Sequence, residues 1–572
     1  MKGIWAPLEG LKAKVTFAFD NWNFSNQDRK KTPTQYWATG RDEEGNLITN
    51  IVNEGDEFLG YGKNGGGNRT LYFESRLSYD KNFRDHTLNG LILFNMREYV
   101  DGDAGSAIQS LPYRNVGLAG RLAYDYSDKY FAEFNFGYNG SENFKRGYRF
   151  GFFPSIAVGW LLSNEPFLEN NKVISKLKIR GSIGLVGNDK ISNGRRFAYL
   201  STINGGNGYQ WGWTGNQGYG GYQEGEFGIP NLTWETATKA NLGLELGLWN
   251  LINLQVDVFK ENRKDIFMQR NTIPEIAGFA VTPYANYGKV ENMGTDISLE
   301  INKNVGKDFA YSIRGNFTFA RNKVIEIDEP AALKETTRSR TGQSLNQHYG
   351  LIALGLFTPD DFVDPEKGIL KEGIPEQFGV VKPGDIKYMD LNEDGVVSSL
   401  DQCPIGKPYV PEIVYGLGGS LRYKNFDISL FFQGSGNFTN SLGGDNFIPG
   451  SGSGALGNMF TNVDDRWKED DPYNQNVFWP RLSSYTNVNN NQASTWWLAD
   501  SRFVRLKNAE IGYTIPKRWQ NACRLSHARL FLKGTNLLTF SPFKLWDPEL
   551  GSTTGLKYPN QKIYSVGFEL SF

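Results

Sequence analysis

Apolar and polar residues alternate with a period of two along most of this chain. In the final segment Tyr564, Val566, Phe568, Leu570 and Phe572 fall on one side, and Ser565, Gly567, Glu569 and Ser571 on the other. Tyr130, Ala132, Phe134, Phe136 and Tyr138 alternate in the same way with Glu133, Asn135, Gly137 and Asn139. Leu242, Leu244, Leu246 and Leu248 alternate with Asn241, Gly243, Glu245 and Gly247, and Ile252, Leu254, Val256 and Val258 with Asn253, Gln255 and Asp257. In Phe426, Ile428, Leu430 and Phe432 the intervening Asp427, Ser429 and Gln433 keep the pattern, and Phe431 interrupts it. Roughly 16 to 18 such strands run from Lys14–Phe19 to the terminus, several about 10 residues or longer, enough for a tilted strand to cross a bilayer. One alternating strand fits a soluble sandwich equally well; the repetition favours an all-β, transmembrane antiparallel β-barrel with apolar faces toward lipid and polar faces toward a lumen. Tyr124, Tyr126 and Tyr130 around the Ser127-Asp128 turn sit where an interfacial girdle would lie.

Three connections are much longer than the rest, as expected of extracellular loops. The first, about 200–231, carries Tyr209, Trp211, Trp213, Tyr219 and Tyr222. The second, about 325–410, is too long to be structureless in a compact domain. The third, about 436–498, is rich in Gly, Ser and Asn and holds Trp467, Trp479, Trp496 and Trp497. Tyr209, Trp211, Trp213 and these four tryptophans are candidate contacts for a sugar or peptide ligand or for a lid; packing of loop on loop is the alternative. Within the second loop, Asp390, Asn392, Asp394, Gly395, Val396, Ser398 and Asp401 match positions 1, 3, 5, 6, 7, 9 and 12 of an EF-hand calcium loop. Asp390, Asn392, Asp394, the Val396 carbonyl, Ser398 and Asp401 would be the ligands of a structural calcium. A hydrogen-bonded Asx-rich turn is the other reading.

Composition removes other classes. Hydrophobic residues make up 39% of the chain and no run of 18 apolar residues occurs, so no membrane-crossing helix is expected. A net charge of -1 leaves no electrostatic footprint for nucleic acid. Cys403 and Cys523 are read as isolated, with a disulfide left open. His86, His348 and His527 have no metal-ligand spacing, and no carboxylate pair stands out as an acid–base dyad, so the chain is not read as an enzyme. Glu133, Glu245, Asp257 and Asp427 are read as solvated lumen lining, and Gly65–Gly67 and Gly218–Gly221 as turns. The opening Met1–Pro7 lacks an apolar stretch and a small-residue cleavage site; the chain is therefore read as a fragment without a secretory signal.

Specific motifs narrow the class. Arg505-Leu-Lys-Asn-Ala-Glu-Ile-Gly-Tyr-Thr-Ile-Pro516, Leu530-Phe-Leu-Lys-Gly-Thr-Asn-Leu-Leu-Thr-Phe540, Trp546-Asp-Pro-Glu549 and Tyr558-Pro559 precede a terminal Phe. Upstream lie Leu111–Gly120, Tyr130–Phe144, Arg149–Pro154, Gly184–Asp189 and Leu232–Thr236, all in the same order as in one family. Over essentially its whole length the chain resembles the C-terminal barrel of a SusC/RagA-type TonB-dependent outer-membrane transporter. The resemblance implies a barrel of about 22 strands in the complete protein, of which this chain would lack the first few. It also implies a signal peptide, a plug and a TonB-contacting segment that are not seen here. The function implied is TonB-dependent import of an oligosaccharide or peptide across the outer membrane of a Bacteroidetes-type bacterium. The partners implied are a SusD-like surface lipoprotein, TonB and outer-membrane lipid. No cofactor is required by this reading. A secreted all-β carbohydrate-binding protein or glycoside-acting enzyme is the alternative, and a passive porin a third.

Two expectations follow. Phe568, Leu570 and Phe572 form the assembly signal implied by the barrel family, so deleting Phe572 from the full-length protein lowers its outer-membrane level severalfold. Unchanged surface abundance would count against a lipid-facing final strand. If the Asp390–Asp401 loop holds calcium, Asp390→Ala with Asp394→Ala, or a chelator, makes the 325–410 segment easier to proteolyse while the barrel stays intact. Equal resistance with and without chelator leaves only the Asx turn.

Overall fold

Strands of strict two-residue period cannot pair singly, because each exposes a row of backbone donors and acceptors on both edges. In the computed structural model, which describes residues 2–572 except 192–194, 214, 216, 280, 445–446 and 450–458, they join one 17-stranded sheet. Every long pairing given below is antiparallel. Its strands are β1 (Lys2–Leu8), β2 (Leu11–Lys30), β3 (Gly60–Phe83), β4 (His86–Asp101), β5 (Tyr113–Tyr126) and β6 (Tyr130–Ser141). They continue with β7 (Phe150–Leu161), β8 (Ile174–Asn188), β9 (Glu235–Leu248), β10 (Ile252–Gln269), β11 (Tyr284–Val305) and β12 (Phe309–Glu326). The last five are β13 (Ile413–Tyr423), β14 (Phe426–Gly436), β15 (Phe503–Thr514), β16 (His527–Phe540) and β17 (Ile563–Ser571). The strand number falls within the range that alternation alone suggests.

The chain divides into two compact units. The first comprises Met1–Tyr124, Glu133–Pro154 and Asn188–Trp234. Here β2 and β3 pair without interruption from Leu11↔Tyr79 to Lys30↔Gly60, well past the Lys14–Phe19 alternation. Gly65–Gly67 lie inside β3 and not in a turn; a Cβ on Gly67 would collide with the Trp22 carbonyl of β2. Between β2 and β3 stands a hairpin of Gln35–Arg41 and Leu47–Asn53 that alternation did not reveal. Its tip is an Asx turn: the Asp42 carboxylate accepts the Glu44 and Asn46 N–H groups at 3.0 and 2.8 Å, and Gly45 takes the left-handed φ of 90°. The first long connection also folds, as a ribbon of Ile203–Trp211 with Gln217–Glu224, so Gly218–Gly221 are strand and not turn.

The second unit comprises Asp125–Ala132, Ser155–Gly187 and Glu235–Phe572. In it β9 through β17 pair each with the next, from Thr236↔Lys264 to His527↔Ser571. Phe431 keeps the parity of Asp427 and Ser429, on the polar face, where it lies against glycines of β13; the β14–β15 register shifts only after it, between Phe431 and Phe432. Its ring lies over Gly416, where an added Cβ would come within 3.2 Å.

The burial of the strands is inverted relative to a soluble sheet. Leu242 of β9 is 62% exposed, whereas Asp257 of the adjoining β10 is 7% exposed. Val15, Phe17, Phe19, Ile92, Ile183, Val258, Leu417, Leu532 and Val566 are likewise exposed at alternate positions. The largest buried apolar cluster sits in loops instead. Leu351, Leu356, Ile386, Tyr388 and Val397 of the 327–412 loop pack with Leu442, Phe447, Ile448, Trp467, Trp479 and Trp497 of the 437–502 loop and with Phe543. Trp479 is fully buried at its centre, against Phe447, Phe460, Phe478 and Trp497. Trp479→Ala is expected to cost about 3–5 kcal/mol within this loop core, the usual penalty for emptying an aromatic-sized site. Hydrogen exchange should quicken across both loops together while β13–β17 keep their protection; quickening confined to 476–482 would show that the loops do not share one core.

Candidate functional site

Polar-face positions of adjoining strands bring charges together in register. Arg180 of β8 reaches Glu245 of β9 at 3.1 Å and Asp257 of β10 at 2.8 Å, and Lys176 meets Glu245 at 2.7 Å. Arg529 of β16 bridges Asp427 of β14 and Glu510 of β15 at 2.5 and 2.6 Å. Arg121 and Glu133 pair at 2.6 Å. Glycine makes the room: a Cβ on Gly243 would stand 2.8 Å from the Arg180 guanidinium carbon, and one on Gly512 would strike Arg529. Glu133, Glu245, Asp257 and Asp427 are therefore not separately solvated lining, as the sequence suggested, but members of cross-strand ion pairs. Strand parity already placed Arg180 and Arg529 on that face, so this was available from the sequence.

Where the strands meet the loops, a cavity of about 460 Å³ opens on the polar face. Glu235, Glu261, Arg263, Asn292, Asn322 and Glu412 supply its polar wall, and Leu345, Val410 and Pro411 its apolar one. Arg263 pairs with Glu235 at 3.2 Å and Glu261 at 3.0 Å, while Arg321 holds Glu412 by two hydrogen bonds of 2.8 and 2.7 Å. The wall is rich in hydrogen-bonding groups and carries three carboxylates, two of them paired with Arg263 and the third with Arg321.

The loops are clamped by a buried polar centre. Asp385, fully buried, accepts the Lys382 N–H at 2.8 Å, the Arg481 guanidinium at 3.0 and 2.9 Å, and the Asn487 and Asn490 amides at 2.9 Å each. A buried carboxylate is tolerable only when so fully paired. Burial pushes the Tyr388 phenol up, so it stays a donor, to the Asn489 carbonyl at 2.8 Å. At Asp361 burial raises the carboxyl, but the Lys387 ammonium at 2.7 Å and the Thr358 N–H outweigh it and hold it low. Asp385 and Arg481 are 96 residues apart, and no local pattern announces them. Buried Arg505 likewise ties β15 to Asp547 and Glu549 of the final loop.

The seven candidate aromatics separate. Trp467, Trp479 and Trp497 are buried in the loop core, and half-buried Trp496 packs on it while donating to the Phe478 carbonyl at 3.2 Å. Their surroundings are protein, so packing replaces ligand contact as their role. Tyr209, Trp211 and Trp213 are exposed. Tyr209 faces Tyr219 across the ribbon and touches Trp211 at 4.7 Å between ring centres, giving one exposed face of three aromatics. Phe568, Leu570 and Phe572 are exposed along and just past β17, as a lipid-facing edge requires.

The Asp390–Asp401 loop adopts Asx turns. Asp390 Oδ2 accepts the Gly395 N–H at 2.8 Å, and Asp394 that of Val396 at 2.9 Å. Both Asp401 oxygens are taken by the N–H groups of Leu391, Asn392 and Ser398, and Ser398 Oγ by that of Leu400. Asp390 Oδ1 is buried without a partner. Among the described residues, no three His, Cys, Asp or Glu side chains converge as a metal site. Cys403 is buried and Cys523 exposed, both as free thiols.

A family model for the TonB dependent receptor-like β-barrel matches residues 5–537. TonB-dependent receptor P3 of Formosa agariphila is 29% identical over 99% of this chain and 57% of its own length. TonB-dependent receptor SusC of Bacteroides thetaiotaomicron is 26% identical over 80% of this chain and 44% of its own. The chain thus spans about half the length of these curated relatives. The structure of the RagAB peptide transporter superposes on all of this chain and 61% of that one, with a TM-score of 0.75 at 21% identity, a likeness of fold. Alternating strands, inverted burial and a family match over nearly the whole chain agree: this protein belongs to the TonB dependent receptor-like β-barrel family.

Proposed function

We propose that this chain is the barrel of an outer-membrane importer that takes up an oligosaccharide or peptide with energy from TonB and with a SusD-like lipoprotein at the surface. The observation that carries the reading is the inverted burial of the strands, Leu242 outward and Asp257 inward. A soluble binding protein or enzyme would leave that apolar face against water. Transport coupling is proposed for the whole receptor, of which this chain aligns with about half. The hydrogen-bonding cavity beneath the loops, with three carboxylates against Arg263 and the neighbouring Arg321, suits a polar substrate that is not an anion. The exposed Tyr209–Trp211–Tyr219 face favours a sugar over a peptide, because flat aromatic faces stack on the C–H faces of sugar rings. The chemistry asks for no cofactor; a structural calcium would sit in the Asp390–Asp401 loop with Asp390 Oδ1 as its free ligand.

The test uses the complete receptor in cells lacking their own copy. Extraction that requires detergent, together with oligosaccharide uptake that stops when the proton gradient is collapsed, is the expected result. Tyr209→Ala with Trp211→Ala should raise the half-saturating concentration about tenfold, the loss of roughly 1.4 kcal/mol of stacking. A monodisperse soluble protein without detergent would end the transporter reading. Uptake of peptide alone, unchanged in the double variant, would end the sugar assignment.

A further inference from the structure

The lipid-facing positions of the first unit are not uniformly filled. Gly90 of β4, Gly120 of β5 and Gly140 of β6 share the parity of exposed Ile92, Leu122 and Phe134 but carry no side chain. Two recesses open there on the outward face. One of about 510 Å³ has Phe17, Phe73, Met96, Val116 and Phe150 in its walls. The other, of about 310 Å³, has Leu77, Ile92, Leu122 and Phe134. They lie in line on the same strands. From Glu98 at the first to Gly90 at the second, β4 runs eight residues, about 26 Å at about 3.3 Å per residue.

The strands fix where this face sits in a bilayer. Arg114 and Tyr124 share the outward parity of β5, ten residues apart. That is about 33 Å along the strand, and about 25 Å across the membrane at a tilt of about 40°, the height of the apolar band of such a barrel. Tyr124, with its hydroxyl 2.7 Å from His86 Nδ1, belongs to the girdle beside the short turns at 84–85 and 127–129. Arg114 therefore stands at headgroup level at the opposite end of the strands, the end that faces the cell exterior.

At that level the outward face is charged. Arg114 donates its Nε–H to Glu98 at 2.8 Å, while Glu142 lies 3.8 Å from Arg114 and 3.7 Å from Arg149, beyond hydrogen-bond reach. Arg69, of outward parity on β3 opposite Val100, is exposed, as are Lys145 and Arg146 in the 142–149 turn. Among the described residues these three enter no ion pair. Five cations thus stand against two carboxylates. Arg97, also at the first recess, has the parity of the polar face. The next carboxylates belong to that face too, Asp101 opposite Asn68 and Asp103 against Gly66.

We propose that this face is a binding site for a phosphorylated, acylated glycolipid of the outer leaflet. An acyl chain lies along the two recesses, the phosphate accepts from Arg114 and Arg149, and sugar hydroxyls donate to Glu98 and Glu142. A zwitterionic lipid would leave the surplus positive charge unmatched. A second copy meeting this face about a two-fold axis would set cation against cation. The inference rests on the barrel lying in an outer membrane and not on what it imports.

The experiment takes the complete receptor in detergent, stripped of bound lipid, and measures its affinity for purified lipid A and for the same lipid after removal of its phosphates. The intact lipid should bind about tenfold more tightly, and Arg114→Gln with Arg149→Gln should erase most of that difference. Gly90→Phe, where an added Cβ meets nothing nearer than 4.0 Å, should fill the second recess and weaken both lipids severalfold with the strand intact. Affinities within about twofold for the phosphorylated and dephosphorylated lipids on the wild-type receptor would overturn the site, and that comparison needs no variant. Phosphatidylethanolamine bound as tightly as lipid A would also overturn it, leaving an unselective lipid-facing wall.

Discussion

In hydrocarbon no water is available to satisfy a backbone N–H or C=O, so every strand must find both neighbours. That requirement accounts for the unbroken ladders, such as the pairing of β9 with β10 from Thr236 to Leu248. It also frees the side chains from making a core. Packing between strands is replaced by hydrogen bonds, and the alternate positions are sorted by solvent: Leu242 and Val258 outward, Asp257 inward. Bridging Arg180 and Arg529 then offset the carboxylates on the inner face, in spaces left by Gly243 and Gly512.

Hydrophobic packing, displaced from the strands, gathers in the loops. The 327–412 and 437–502 segments build a conventional aromatic core around Trp479 with a paired charge, Asp385, at its centre. The protein therefore joins two kinds of stability in one chain. Along β9–β17 the backbone ladder dominates, and in the loops burial does. A substitution that ruins one need not touch the other.

The strands were legible in the sequence because one rule, period two, acts on each of them locally. Their number and parity followed, including which side Glu245 and Asp257 occupy. Failures came wherever the decision was not local. Trp479 and Trp211 are chemically the same residue, and only the fold decides that one is enclosed and the other open. Phe431 stands on the polar face because Gly416 and Gly418 of the neighbouring strand leave room for its ring. The hairpin at Gln35–Asn53 escaped because Leu47-Ile-Thr-Asn-Ile-Val-Asn53 puts apolar residues on both faces, which obscures alternation. The Asp385 network joins residues that share nothing in sequence, and so had no signal to read.

The clasp between Asp385 and Arg481 has a consequence for how the molecule is made. Chain growth delivers Asp385 long before Arg481, with β13 and β14 between them in sequence. Until Arg481 and Asn490 arrive, Asp385 has no reason to leave water, because an unpaired buried carboxylate costs several kcal/mol. The earlier loop thus closes only together with the later one, which makes the two a single cooperative unit although β13 and β14 separate them in sequence.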